Sequence, residues 1–317
     1  MLMRLCIPAL LVSFFCIGCD SGGGTVPPLP APPDSIVAGV NLNRLFAAPT
    51  GNERIAVRSD WSARDLQLPA RYNFTREPDL TGPDGEELHV YAGREPGSGA
   101  VFFYGLVRLP IRNPGDVRTR ATLLVLPDGE AGTSDHALRV GSLPFGTEIH
   151  EEFVYVTMAY RGETLRAGGE TFTPDTTPWA YDLEVDDALA LIDHVVGAEI
   201  LADAGRIGVL GVGRGGGVGL LAEFRTNDFD IVIDIAGPAN FFASSFRSKT
   251  EGVLTHGMTG SFPGLQSIAD RVLFPLRDGD ITMAEARLAL LRRSPSHFVG
   301  PPPFIFVAHG GQDFVVH

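Results

Sequence analysis

The stretch RIGVLGVGRGGGVGLL, Arg206 to Leu221, decides how the rest of the chain is read. Arg206–Leu210 is an apolar, strand-like run, a glycine-rich turn follows, and a helix continues to about Phe224. A strand that turns sharply into a helix offers backbone amides and a helix N-terminus at one point. One chemistry that uses such a turn is dinucleotide binding. Gly211, Gly213 and Gly216 satisfy G-x-G-x-x-G, and Asp234 ends the next strand about 20 residues on, the spacing at which an acid meets a ribose hydroxyl. That reading implies an NAD(P)-dependent oxidoreductase. The fingerprint normally opens its domain, however, and here at least two strands precede it.

Working outward, Val101–Leu109, Ala121–Leu126 and Phe153–Tyr160 are strand-like. In Asp186–Val196 the apolar Ala188, Leu191, Ile192 and Val195 recur at helical spacing after an acid-rich start, which suits a helix N-terminus. Asp230–Ile235 is a further strand, Met283–Leu291 a helix and Phe304–Ala308 a buried strand. Strands alternating with helices predict an α/β domain over 100–317, a mainly parallel sheet with helices on both faces. Residues 35–99 carry only short apolar runs, such as Ile55–Val57 and Leu88–Tyr91, and are expected to form a β-rich N-terminal region. No internal repeat is present.

A second chemistry fits the same turn. Gly211-Val212-Gly213-Arg214-Gly215 has the spacing of the G-x-S-x-G nucleophile elbow, with glycine at the serine position. On the turn alone the two readings stand level, and the surroundings separate them. Tyr160-Arg161-Gly162-Glu163 follows the third strand, Asp186-Asp187-Ala188 opens the next helix, and Arg214-Gly215-Gly216 follows the elbow. Arg293-Ser294-Pro295, His309-Gly310 and Asp313-Phe314-Val315-Val316 come later. In that order they resemble the catalytic domain of prolyl oligopeptidase-type serine hydrolases and related esterases, over Val101 to His317. The resemblance implies an α/β-hydrolase fold and, in intact relatives, hydrolysis of peptide or ester bonds. It implies Gly213 at the nucleophile position, Asp313 as triad acid, the Arg214 amide as one oxyanion donor and Gly129 as the other. It implies neither cofactor nor metal.

Glycine carries no hydroxyl, so the first member of the triad is lost. Ser244, Ser245 and Ser294 lie elsewhere and read as loop or capping serines. In the resembling family the triad histidine follows the acid by some tens of residues, whereas His317 is four residues past Asp313. The expectation is therefore a domain lacking its last strand, last helix and catalytic histidine, and inactive as written. His309 reads as part of a structural His-Gly turn and His194 as a surface or packing residue. His89, His136, His150, His256 and His297 show no metal-ligand spacing. A non-catalytic binding protein that keeps the pocket for a peptide or ester ligand is the alternative.

The chain has 317 residues and a formal net charge of −13, which argues against nucleic acid as a partner because the long-range field repels phosphates. All three cysteines, Cys6, Cys16 and Cys19, lie in the first 19 residues, so a later disulfide or thiolate metal site is excluded. Arg4 and the apolar run Leu5–Ile17 have signal-peptide architecture over 1–18. Gly18-Cys19-Asp20 resembles a bacterial lipobox, which makes Cys19 the expected lipidation site and the bilayer a partner. Residues 19–34, rich in Gly and Pro, are then a tether, and the domain sits at the cell envelope on the periplasmic or extracellular face.

Overall fold

The computed structural model describes residues 35–82, 85–111, 118–129, 132–134, 152–260, 262–300, 304–310 and 313. The expected signal segment, Cys19 and the tether lie outside the described residues. The central sheet contains β1 (Asn73–Arg76), β2 (Leu80–Thr81), β3 (Glu87–Arg94), β4 (Val101–Arg108), β5 (Arg120–Leu126), β6 (Phe153–Ala159), β7 (Ala202–Val212), β8 (Ile231–Ile235) and β9 (Phe304–Ala308). Their spatial order is β9-β8-β7-β5-β6-β4-β3-β1, with β2 also paired to β3. Strands β5 to β9 run parallel, whereas the β6–β4, β4–β3 and β3–β1 pairs are antiparallel. Every loop leaving a parallel strand therefore emerges along one edge of the sheet, the edge where open α/β sheets place their sites.

Side chains alternate between two buried layers, as strand periodicity requires. Phe103, Leu124, Leu126, Val156, Met158 and Val209 face one way and meet α2 (Leu183–Ala198) and α3 (Arg214–Thr226). Leu88, Val90, Leu106, Leu123, Val125 and Leu210 face the other, where Leu165, Ala167 and Phe172 of a small three-stranded sheet join them. Helices were expected on both faces; among the described residues they pack on the first. Segment 135–151, which precedes β6, lies outside the described residues.

Residues 35–99 depart from the β-rich expectation. Ile55–Val57 belongs to α1 (Gly51–Asp65), where Val57 and Trp61 are buried and Ile55 is exposed. A capping box starts that helix: Glu53 N donates to Thr50 Oγ1 at 3.2 Å and Thr50 N donates to Glu53 Oε2 at 2.7 Å. The short apolar run conceals the helix because only one turn-spaced pair, Val57 and Trp61, is inward. Beyond it, β3 pairs with β4 from Leu88↔Arg108 to Arg94↔Val101, with a register shift between Gly93 and Arg94, so one sheet takes in strands on both sides of residue 99.

Glu53 also ties α1 to α5 (Met283–Arg292). Arg287 Nε and Nη2 donate to its two carboxylate oxygens at 2.7 and 3.0 Å. Arg287 Nη1 donates to the carbonyls of Arg44, Leu45 and Ala47. The Arg287 hydrogen bonds hold the Glu53 carboxyl down at about 2, against burial. A depressed carboxyl stabilises the fold above its unfolded pKa, and that contribution disappears as pH falls from about 4.5 to about 2. Glu53→Gln should therefore lower stability at pH 7 by about 1–3 kcal/mol and flatten the acid limb over that window, measured by urea unfolding across pH.

Candidate functional site

The elbow joins β7 to α3. Gly213 sits at φ +53°, ψ −120°, a left-handed region that disfavours any side chain. Its N–H donates to Ile235 O at 2.8 Å, and its carbonyl accepts the first turn of α3 from Gly216 N at 3.0 Å. Two residues on, a β-carbon at Gly215 would lie 2.0 Å from Leu126 O, so glycine there lets the helix start directly against the end of β5.

A β-carbon at Gly213 would lie 2.0 Å from Asp128 Oδ1. The loop after β5 thus puts a carboxylate where the side chain of a serine would begin. The Arg214 N–H, expected to serve an oxyanion, donates to that same Asp128 oxygen at 2.9 Å. Gly129, expected as the second donor, lies beside the elbow, where its carbonyl accepts from Arg214 Nη1 at 2.9 Å. Sequence reasoning placed Gly129 at the elbow but gave the neighbouring Asp128 no role. Its one signal was the missing side chain at 213, which leaves the space that Asp128 fills.

The Arg214 side chain turns inward and is almost fully buried. Its guanidinium pairs closely with Glu184, donates to Glu163 Oε1 at 2.6 Å, and lies over the Tyr160 ring at 4.4 Å. Burial alone would lower its pKa, but Glu184 and Glu163 raise it instead; burial drives the Tyr160 hydroxyl well above its usual range. The motifs read along the chain converge here. Arg161 forms a two-point pair with Asp187, both contacts at 2.7 Å, and Tyr72 donates to the same carboxylate at 2.7 Å. Asp186 accepts from Arg64, Arg71 and Arg225 at 2.7–3.2 Å. Arg293 Nε donates to Ala180 O at 2.9 Å. The acids opening α2 are therefore buried counter-charges that align loops, and they also suit the helix N-terminus.

Asp313 follows β9 on the same edge of the sheet. Its N–H donates to Gly310 O, and its Oδ2 lies 3.5 Å from His309 Nε2. His317 lies outside the described residues, as do His136 and His150. Between Asp313 and the elbow comes Asp234 at the end of β8, which accepts from Gly237 N at 2.9 Å. Burial pushes its carboxyl up to about 6, against the pull of that N–H and of His309. Asp234 Oδ1 occupies the space a β-carbon at Gly216 would need, so it faces the turn and presents no carboxylate to a ribose. Ser294 is a buried bridge, accepting from Phe241 N and donating to Leu290 O, while Ser244 and Ser245 open α4 (Ser244–His256). His194, read as a packing residue, stacks on Phe74 at 4.3 Å.

Beside the elbow lies a cavity of about 570 Å³, lined among others by Gly162, Glu163, Thr177, Pro178, Arg214 and Ser267. Its volume falls in the range of small-molecule sites. Arg271 at its rim stacks on Trp179 at 4.4 Å and donates to Thr177 Oγ1 at 2.5 Å. Gln266 donates to Asp270 at 2.8 Å on the same wall. The lining combines apolar surface with hydroxyls, the Gln266 amide and fixed charges.

Strand order and elbow together give the α/β-hydrolase fold. Acetyl xylan esterase 1 from Thermoanaerobacterium sp. JW/SL YS485 is similar in structure, with a TM-score of 0.54 and 14% identity, over 82% of this chain and 84% of that one. An acetyl xylan esterase from Paenibacillus sp. R4 gives a TM-score of 0.53 and 13% identity, over 84% and 92% of the two chains. No protein-family model and no curated protein sequence matches the chain.

The elbow geometry sets a measurable coupling. Gly213→Ala should destabilise the protein by about 1–3 kcal/mol from backbone strain, with a further loss from the collision with Asp128. Asp128→Gly in the same chain should recover the collision and leave the strain. A double-mutant cycle by chemical denaturation reads that recovered part as the interaction energy between the two sites.

Proposed function

We propose that this α/β-hydrolase-fold protein binds a peptide or ester ligand in the cavity beside its elbow and does not cleave it by serine chemistry. One observation carries the reading: Gly213 lacks a nucleophile, and Asp128 Oδ1 both fills the vacated space and takes the Arg214 N–H. Acyl transfer by an elbow needs a hydroxyl to attack and preorganised donors for the oxyanion. Here the hydroxyl is absent and the Arg214 N–H is taken by Asp128, while the surrounding loops are held by buried ion pairs. Two of the similar structures are acetyl xylan esterases, which favours an acetylated saccharide as the ester ligand. The hydroxyl and amide lining suits such a ligand, and the Arg271–Trp179 stack offers a rigid platform at the rim. Cys19, lipidated, would hold the domain at the envelope surface. The dinucleotide reading is the weaker one, because Asp234 is buried against the turn.

The purified chain should form no adduct with a fluorophosphonate probe by intact mass. It should bind acetylated xylo-oligosaccharide with saturable heat and release no acetate. Gly213→Ser alone should also remain unlabelled, since the new β-carbon meets Asp128. An adduct on the unmodified chain, or acetate release by it, overturns the claim of inactivity; absence of binding overturns the choice of ligand.

A further inference from the structure

The opposite edge of the sheet carries a second cluster, independent of the reading above. Strand β3 runs parallel to β6, so its first residues lie at the edge away from the elbow. Glu87 and His89 are two apart on β3 and share a face with Tyr91. The β2–β3 register pairs Leu80 with Leu88, which brings the neighbouring Asp79 across from His89. Ligand atoms of Asp79, Glu87 and His89 all lie within 4.8 Å of one another.

His89 is buried and both its nitrogens are committed. Nδ1 lies 2.6 Å from Glu199 Oε1, an oxygen that also accepts from Tyr91 OH at 2.5 Å. A carboxylate oxygen accepting from a phenol takes the imidazole Nδ1 as a donor, which holds the ring in place through that nitrogen. Nε2 faces Glu87 Oε1 at 2.7 Å, a hydrogen bond whose proton a metal ion would replace. An imidazole held through its other nitrogen by a carboxylate is the arrangement that orients metal-bound histidines. Arg76 supplies the neighbouring positive charge, donating to Asp79 Oδ1 at 2.8 Å and lying 3.9 Å from Glu87. Its side chain is partly exposed.

We infer that Asp79, Glu87 and His89 form a site for a first-row divalent cation of the zinc class. The structure assigns His89 Nε2 and one oxygen from each carboxylate as ligands, Glu199 as the group that orients His89, and Arg76 as the cation a metal displaces. One imidazole and two carboxylates suit Zn²⁺ or Mn²⁺ better than Mg²⁺. Read from sequence, His89 showed no ligand spacing, because Asp79 reaches it only through the hairpin register.

Zn²⁺ titration of the full chain by calorimetry, beside thermal melts, tests the assignment. The Asp79→Asn/Glu87→Gln double variant changes two exposed carboxylates and should fold normally. It should lose one binding event or weaken it by about ten-fold or more. Arg76→Ala should tighten the same event, which a merely structural ion pair would not do. The N-terminal cysteines are common to all variants, so thiolate binding cancels in the comparison. Superimposable titrations of the wild type and the double variant, or unchanged or weaker binding in Arg76→Ala, overturn the site.

Discussion

The Arg214 guanidinium is the constraint on which the upper edge of this fold depends. Its backbone closes the elbow, and its side chain reaches into the body of the protein to Glu184, Glu163 and the Gly129 carbonyl. Those partners belong to the start of α2, the loop after β6 and the loop after β5. One residue thereby fixes three loops relative to one turn. Removing one partner from a buried pair of this kind costs about 3–5 kcal/mol, because the other charge is left without compensation. The neighbouring Asp186 and Asp187 pairs extend the same logic across α2, so the arginines and acids of this edge are mutually required.

That dependence explains why so much of the fold was legible. Strands β5 to β9 follow from their apolar runs, although β9, expected to be buried, leaves Phe304, Phe306 and Val307 exposed at the edge of the sheet; the order of short motifs pointed to the α/β-hydrolase architecture. Tyr160-Arg161-Gly162-Glu163, Asp186-Asp187 and Arg214 stand far apart in sequence because their purpose is to meet in space. What stayed hidden has physical causes. Helix α1 presents only Val57 and Trp61 to the core and is specified by its Thr50–Glu53 cap. Asp128 gains meaning only from the empty volume at 213, which no local pattern reports. His89 needs a hairpin register and a helix end to acquire its partners. Periodicity reveals elements; it does not reveal which loop side chain fills a gap left by another residue.

The glycine at 213 and the aspartate at 128 fit one another. A residue suited to φ +53° occupies the turn, and a solvent-facing carboxylate contacts the turn's amide. The two features support each other. The amide keeps a charge-assisted partner, and the loop after β5 gains an attachment to α3.

The cradle around Arg287 bears on the order in which the chain assembles. Its bonds to Glu53 and to the carbonyls of Arg44, Leu45 and Ala47 span between 234 and 243 positions of sequence. During synthesis α1 therefore emerges long before the helix that fastens it exists, since chains fold from the N-terminus as they are made. An isolated helix of 15 residues is marginal in water. Helix α1 must then be among the last pieces secured, and the nascent protein carries Trp61 without its Phe298 neighbour until the C-terminal part arrives.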